Sequence, residues 1–240
     1  MSLQSLLELS QYYPFLLKGV GWTLVLSAIS IVGGSVVGIV IALMRVSSFR
    51  ALSFAGVVYV DFFRTTPLVI QLIWFYYAFP ILAGVRLTEI EAGCIAMVLY
   101  SAAYLAEIFR AGILSIEKGQ REAALALGMN EAYVMLRIVF PQAFIRMIPA
   151  IANIFISKVK DSALVSVIGV PELLRQASVM GEFTALRMES LTIAAMLYFC
   201  LTYPLSKGSN WLHRRLTSTE LKSSDAGLDE QLVRAVKKAA

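Results

Sequence analysis

Residues 19–44 read GVGWTLVLSAISIVGGSVVGIVIALM, a run of 26 positions from Gly19 to Met44 without one charged side chain. A helix needs ~20 mostly apolar residues to cross the hydrocarbon core of a bilayer, so this run is long enough to span. It is not read as a cleaved leader: Lys18 precedes it by one residue only, and no small-residue cleavage site closes it before Arg45. The rest of the chain agrees. Of 240 residues, 58% are hydrophobic and 15% charged. Soluble domains carry roughly 45–50% apolar and about 25% charged residues, so lipid is the solvent of this chain.

Working outward, four more spans are expected, over roughly Leu52–Ile81, Ala92–Ile108, Pro141–Asp161 and Ser190–Ser206. The predicted class is an all-α polytopic membrane protein with five transmembrane helices. Only the first span reads as hydrophobic all round. The others hold polar residues that lipid does not tolerate, so these should face a bundle interior or an aqueous path. The net charge of +5 suggests no nucleic-acid partner once the basic residues are placed. With the amino terminus outside, residues 45–50, 110–146 and 207–240 are internal and hold 14 of the 21 basic residues. The positive-inside rule then puts the amino terminus out and the carboxyl terminus in.

Two segments outside the spans look helical. In the inner loop, about 111–140, Ser115, Glu117, Arg121, Glu122, Ala124, Leu125 and Leu127 form one polar and one apolar face, and Gly128 stands where a helix stop is expected. Residues 171–187 begin with Pro171, suited to a first helical turn, and read as a short outer helix. Residues 1–215 are taken as the membrane domain and 216–240 as a cytoplasmic tail; the last 24 residues carry 8 charges and read as solvated, a frayed helix at most.

Several functions are excluded by what is missing. Cys94 and Cys200 sit in apolar runs as small hydrophobes, and the lone His213 beside Arg214 and Arg215 reads as interfacial. No Gly-Lys dipeptide occurs, so no phosphate-binding P-loop exists, and no G-x-S-x-G is present. No metal or other cofactor in this chain is expected, and an enzyme acting alone is not supported.

The intramembrane charges carry the remaining information. Asp61 and Arg64, three apart on one helix face, can pair, and Pro67 should kink that span. Glu107 and Arg110 repeat the spacing and read as interfacial or gate salt bridges. Asp161, between apolar runs, is a functional candidate: it could accept hydrogen bonds from a substrate ammonium with Ser162 beside it, or it could neutralise Lys158 or Lys160. Tyr100, Tyr104 and Glu107 share a helix face, and Tyr100 and Ser101 lie at mid-span on a polar substrate path. Tyr76 and Tyr77 read as aromatic-belt residues, and Gly34 and Gly38 as a GxxxG helix contact.

Glu122-Ala123-Ala124, then Gly128, Ile138 and Pro141, resembles the EAA loop of ATP-binding-cassette (ABC) transporter permease subunits; Phe140 stands where Leu is usual. Asp61-Phe62-Phe63-Arg64-Thr65-Thr66-Pro67-Leu68 continuing through Gln71, Ala106–Gly112, and Lys160–Gly169 complete a set of four ordered motifs. Together they resemble the polar amino-acid permeases of the histidine, glutamine and arginine type, over about residues 15–215. The resemblance implies the importer permease fold and a multi-pass place in the cell inner membrane. It also implies a polar amino acid as cargo, an external solute-binding protein, a second permease copy (identical or related), and two ATP-binding subunits that hold the ATP. Arg121, Glu122, Ala123, Ala124 and Gly128 would then form the helix that couples to the ATPase; the same residues alone are also compatible with an amphipathic helix lying on the inner leaflet. Two rivals are a proton-coupled secondary carrier using Asp161 or Glu107, and a membrane adaptor that transports nothing.

Overall fold

The computed structural model describes residues 11–239, with side chains described for residues 11–215. Among the described residues there is no strand. Four helical segments are long and apolar enough to cross a membrane, and a fifth span is a pair of helices bent by 101°. The all-α, five-span expectation holds, with changes at each boundary.

α1 (Tyr13–Val46) and α5 (Glu89–Leu114) pack along most of their length. The buried face of α1 includes Gly19, Thr23, Ser27, Ser30, Gly34 and Gly38, spaced as one helical stripe. A Cβ on Gly34 would stand 2.9 Å from Ser101 Cβ, and one on Gly38 3.1 Å from the Ala102 carbonyl oxygen, so the two backbones lie close. Ser30 Oγ donates to the Met97 carbonyl at 3.0 Å and meets Ser101 Oγ at 2.5 Å. The first span is therefore not hydrophobic all round. Its apolar residues Val25, Val32, Val36 and Val40 face outward. Lipid tails solvate valine as well as a protein core does, so small and hydroxyl-bearing residues decide which helix face packs.

The second span is broken outright. α2 (Arg50–Thr65) ends before Pro67, and α3 (Leu68–Ile73) leaves at the 101° bend, continuing through a wide π turn at Trp74–Ala78 into α4 (Phe79–Ala83). Pro67 has no N–H for the Phe63 carbonyl, and that orphan is taken by Gln71, whose Nε2 donates to Phe63 and Thr66 carbonyls at 3.0 Å each. The π turn sits just before Phe79-Pro80, and a second one, Met135–Val139, just before Phe140-Pro141. Widening the turn relieves the proline ring of its clash with the preceding carbonyl.

α5 begins three residues before the expected span because Thr88 and Glu91 form a capping box: Glu91 N–H donates to Thr88 Oγ1 at 3.3 Å and Thr88 N–H to Glu91 Oε2 at 2.8 Å. α6 (Lys118–Ala126) is the inner-loop helix, so Ser115 and Glu117 precede it rather than lie within it. α7 (Glu131–Val134), the π turn, α8 (Phe140–Asp161) and a 3₁₀ turn at Ser162–Ile168 form one continuous 38-residue segment, longer than the span expected from Pro141.

α9 (Leu173–Thr184) is the expected short helix after it, but Glu172 is its N-cap and Pro171 lies outside the first turn. α10 (Arg187–Ala239) contains the last span, within Arg187–Arg215. Four apolar clusters hold the bundle among the described residues, and two of them border the elements discussed below. Leu26, Leu68, Leu72, Met97, Val165 and Ile168 pack where α3 meets the 3₁₀ turn. Leu105, Phe109, Ala124, Val134, Val139 and Met147 pack near α6. The expectations for residues 1–10 and for the side chains of the tail lie outside the described residues.

Candidate functional site

The loop site is built on α6. Its end is a Schellman closure: Gly128 N–H donates to the Leu125 carbonyl at 2.9 Å and Met129 N–H to Ala124 at 3.2 Å, with Gly128 at φ +83. The expected helix stop at Gly128 is present. Ala124 is buried against Val134 and Val139, which fastens the helix to the bundle, while Glu122, Ala123, Leu127 and Gly128 are exposed. Arg121 does not point away with Glu122. It donates to Glu131 Oε2 through Nε at 3.2 Å and through a terminal nitrogen at 2.5 Å. Gln142 adds a second strap to Gln120 at 2.8 Å. Glu122 forms no ion pair inside the chain among the described residues and is exposed.

The intramembrane site lies at the far end of α8. Lys158 is 2% exposed, and its ammonium sits over the Tyr100 ring at 4.1 Å and the Tyr104 ring at 5.1 Å. Lys158 Nζ donates to Asp161 Oδ2 at 2.8 Å. The Tyr100 and Tyr104 hydroxyls are 3.1 Å apart, and the Arg64 guanidinium stands 5.3 Å from the Tyr104 ring. Lys158, Asp161, Tyr100, Tyr104 and Arg64 therefore form one cluster. An ammonium over two ring faces is held by the ring quadrupoles as well as by the carboxylate. The Asp161 side chain is partly exposed, unlike that of Lys158. Ser162 and Ser101 do not join it. Ser162 Oγ donates to the Val159 carbonyl at 2.9 Å, and Ser101 is committed to Ser30 across the α1–α5 contact.

At the ends of α1 and α5 nearest α6, Glu107 is shared by two cations. Arg45 of α1 contacts one oxygen, and Arg110 donates to the other at 3.1 Å. Gly56 of α2 makes room for the Arg45 stem, since a Cβ there would be 2.7 Å from Arg45 Cγ. The expected Glu107–Arg110 pair is present and enlarged by Arg45. Asp61 and Arg64 form no ion pair with each other among the described residues, because the α2 backbone turns Arg64 toward Tyr104. His213 lines a cavity of about 370 Å³ with Arg146, Ser115 and Gly112. No group of three or more His, Cys, Asp or Glu among the described residues is placed to hold a metal ion.

Residues 34–218 match the family described as the binding-protein-dependent transport system inner membrane component. The chain belongs to this family. Among similar permeases is the arginine transport system permease protein ArtQ of Bacillus subtilis (strain 168), 40% identical over 207 residues, covering 86% of this chain and 94% of that one. The glutamate/aspartate import permease protein GltK of Escherichia coli O6:H1 is 36% identical over 209 residues, covering 84% and 93%. A solved structure described as an amino acid ABC transporter with histidines superposes with TM-score 0.80 at 37% identity, covering 87% of this chain and 97% of that chain. The MetNI methionine ABC transporter shares the fold at TM-score 0.72 and 20% identity. The chain is thus a multi-pass inner-membrane permease component with the importer permease fold.

Three features of this permease were not found from its sequence. Gln71, in sequence only the end of a motif, caps the broken span. Lys158, in sequence only a candidate neutraliser of Asp161, is the buried centre of the cluster. Arg45, which in sequence is one more internal basic residue, joins Glu107 and Arg110 in an ion cluster, with Gly56 leaving room for its stem. The Gln after a Pro-broken apolar helix was the one readable signal, because a buried amide beside an orphaned carbonyl is a natural cap.

Proposed function

We propose that this chain is the permease subunit of an ABC importer that carries a polar amino acid inward across the inner membrane. The observation that supports this reading best is the pairing of two sites by one segment. The exposed α6 surface, with Glu122, Ala123 and Gly128 outward, is strapped to the start of the Glu131–Ile168 segment, whose other end carries Lys158 and Asp161. A motion imposed on α6 by a partner moves that segment, and with it the intramembrane cluster.

In this reading Glu122, Ala123 and Gly128 meet a cleft of a separate ATP-binding subunit, Arg121 and Ala124 hold the helix that presents them, and ATP is bound and hydrolysed on the partner chain. Asp161 and Tyr100 line the cargo path; Ser162 and Ser101 support its backbone from behind. Glu107, Arg110 and Arg45 tie α1 to α5 at the inner side, with Asp61 and Arg64 on α2 beside them. Two permease copies, two ATP-binding subunits and an external solute-binding protein complete the assembly. Cargo chemistry follows from similarity to permeases whose names specify arginine and glutamate/aspartate. The alternative, a proton-coupled carrier, is disfavoured because five spans with no visible internal repeat do not match the usual inverted-repeat carrier.

The amino terminus lies outside and the carboxyl terminus inside. A thiol label placed between Val170 and Met188 is expected to react from outside, and one placed just after Arg215 only from inside. The same accessibility at both sites would remove the five-span topology. Function is tested by co-reconstituting the permease with its ATP-binding and solute-binding proteins in vesicles and following labelled L-arginine, L-glutamine and L-glutamate. Uptake should require ATP and persist with a protonophore. Uptake that follows a proton gradient without ATP would replace this reading with the carrier.

A further inference from the structure

Glu172 belongs to none of the roles assigned above, and it is fully buried. A buried carboxylate is tolerated only with a cation or a full set of donors. Glu172 has no ion-pair partner among the described residues and collects donors instead. As N-cap of α9 it accepts from the backbone N–H groups of Leu174 at 2.9 Å and Arg175 at 2.7 Å, and from the Tyr198 hydroxyl at 2.5 Å. Burial pushes its carboxyl up, and the bonds from Tyr198, Leu174 and Arg175 oppose that push.

Glutamate is not among the favoured N-cap residues; Ser, Thr, Asp and Asn do that job with shorter side chains. The extra methylene is what lets this carboxylate cap α9 and still reach Tyr198 on α10. Tyr198 in turn is faced by the hydroxyls of Thr23 on α1 and Ser162 on the 3₁₀ turn. The start of α9 is pressed onto α1: Leu173 N–H donates to Thr23 Oγ1 at 3.3 Å, and a Cβ on Gly19 would lie 2.9 Å from Leu173 Cα. α1, α9 and α10 therefore meet at one hydrogen-bonded junction, and beside Tyr198 lies the 3₁₀ turn that begins at Ser162, the residue directly after Asp161.

We infer that Glu172 and Tyr198 are positioning residues that set, from the end opposite the coupling loop, the last turn of α8, which carries Lys158 and Asp161 and runs straight into the 3₁₀ turn at Ser162. This rests on the proposed cargo-path role of that turn. The junction holds Ser162 and the α9 start in one register. Releasing it lets the turn shift relative to Tyr100 and Tyr104, which alters cargo binding without touching α6 or its partner surface.

The test uses the assembled transporter in nanodiscs and its affinity for labelled L-arginine, L-glutamine and L-glutamate, each measured in turn. Tyr198→Phe removes one hydroxyl and keeps the ring; Glu172→Ser keeps a capping oxygen but cannot reach Tyr198. Each is expected to weaken binding about fivefold, the scale of one hydrogen bond, with normal protein level and basal ATPase. In an Asp161→Asn background Tyr198→Phe should add nothing further, because it acts through that turn.

Wild-type affinity in Tyr198→Phe while Asp161→Asn weakens binding would overturn the inference. So would a Tyr198→Phe effect that adds in full to Asp161→Asn, or a loss of protein level and basal ATPase with affinity unchanged. Wild-type affinity in Asp161→Asn itself is a different signature: it removes the cargo-path reading, and this inference with it.

Discussion

Gly128→Asp is expected to abolish ATP-driven uptake while the protein still inserts and assembles in the membrane at normal level. Gly128 sits at φ +83 at the end of α6, where a side chain costs roughly 1 kcal/mol of backbone strain. That is too little to unfold the permease, and no atom lies within 4 Å of where its Cβ would point. The space is open in this chain, so the added carboxylate occupies the surface a partner would approach.

Gly128→Ala separates the two terms, since it carries the backbone strain with almost no added volume; it should retain part of the uptake. Glu122→Lys should abolish uptake by a different route. Glu122 has no partner within the chain among the described residues, so reversing its charge leaves the fold intact and sets a cation against any basic group in the ATPase cleft. Uptake rate, surface level and co-purification of the ATP-binding subunit are the readouts. Normal uptake in both Gly128→Asp and Glu122→Lys would mean that α6 transmits no force.

Asp161→Asn should weaken cargo binding by roughly 10- to 150-fold, the equivalent of ~1.5–3 kcal/mol for a hydrogen bond to a charged group. The substitution keeps shape and removes charge. Asp161 Oδ2 is held by Lys158 and the side chain is partly exposed, so on the proposed cargo path it can also accept from a cargo ammonium. Lys158 stays over Tyr100 and Tyr104 and still has an amide oxygen as acceptor, so it is not stranded. Basal ATPase activity should survive, because α6 is untouched. Binding measured on purified complexes, beside membrane levels, decides the matter. Unchanged affinity with reduced level would make Asp161 a partner of Lys158 alone.

The lipid-facing parts of this protein were legible because they depend on composition over a window. A charge-free run of 26 residues, a K/R-rich set of loops and a helix stop at Gly128 are local properties, set by partition between water and hydrocarbon and by backbone freedom. The loop surface was legible for the same reason, apart from Arg121, whose partner Glu131 is only ten residues away yet lies across a turn.

The intramembrane polar residues were not legible, because in a low-dielectric interior the meaning of such a group is set by what faces it. Ser101 reads as a path residue until Ser30, 71 positions earlier, is found against it. Asp61 and Arg64 read as a pair until Tyr104 takes the guanidinium. Pro67 announces a kink, but the size of the bend depends on Gln71 stabilising both freed carbonyls and on Leu68 and Leu72 packing against Val165 and Ile168. Sequence alone therefore determined which segments enter the membrane and where the inner helix stops. Tertiary structure alone decided which polar groups face each other, since those partners are brought together by packing across distances in sequence that no local preference encodes.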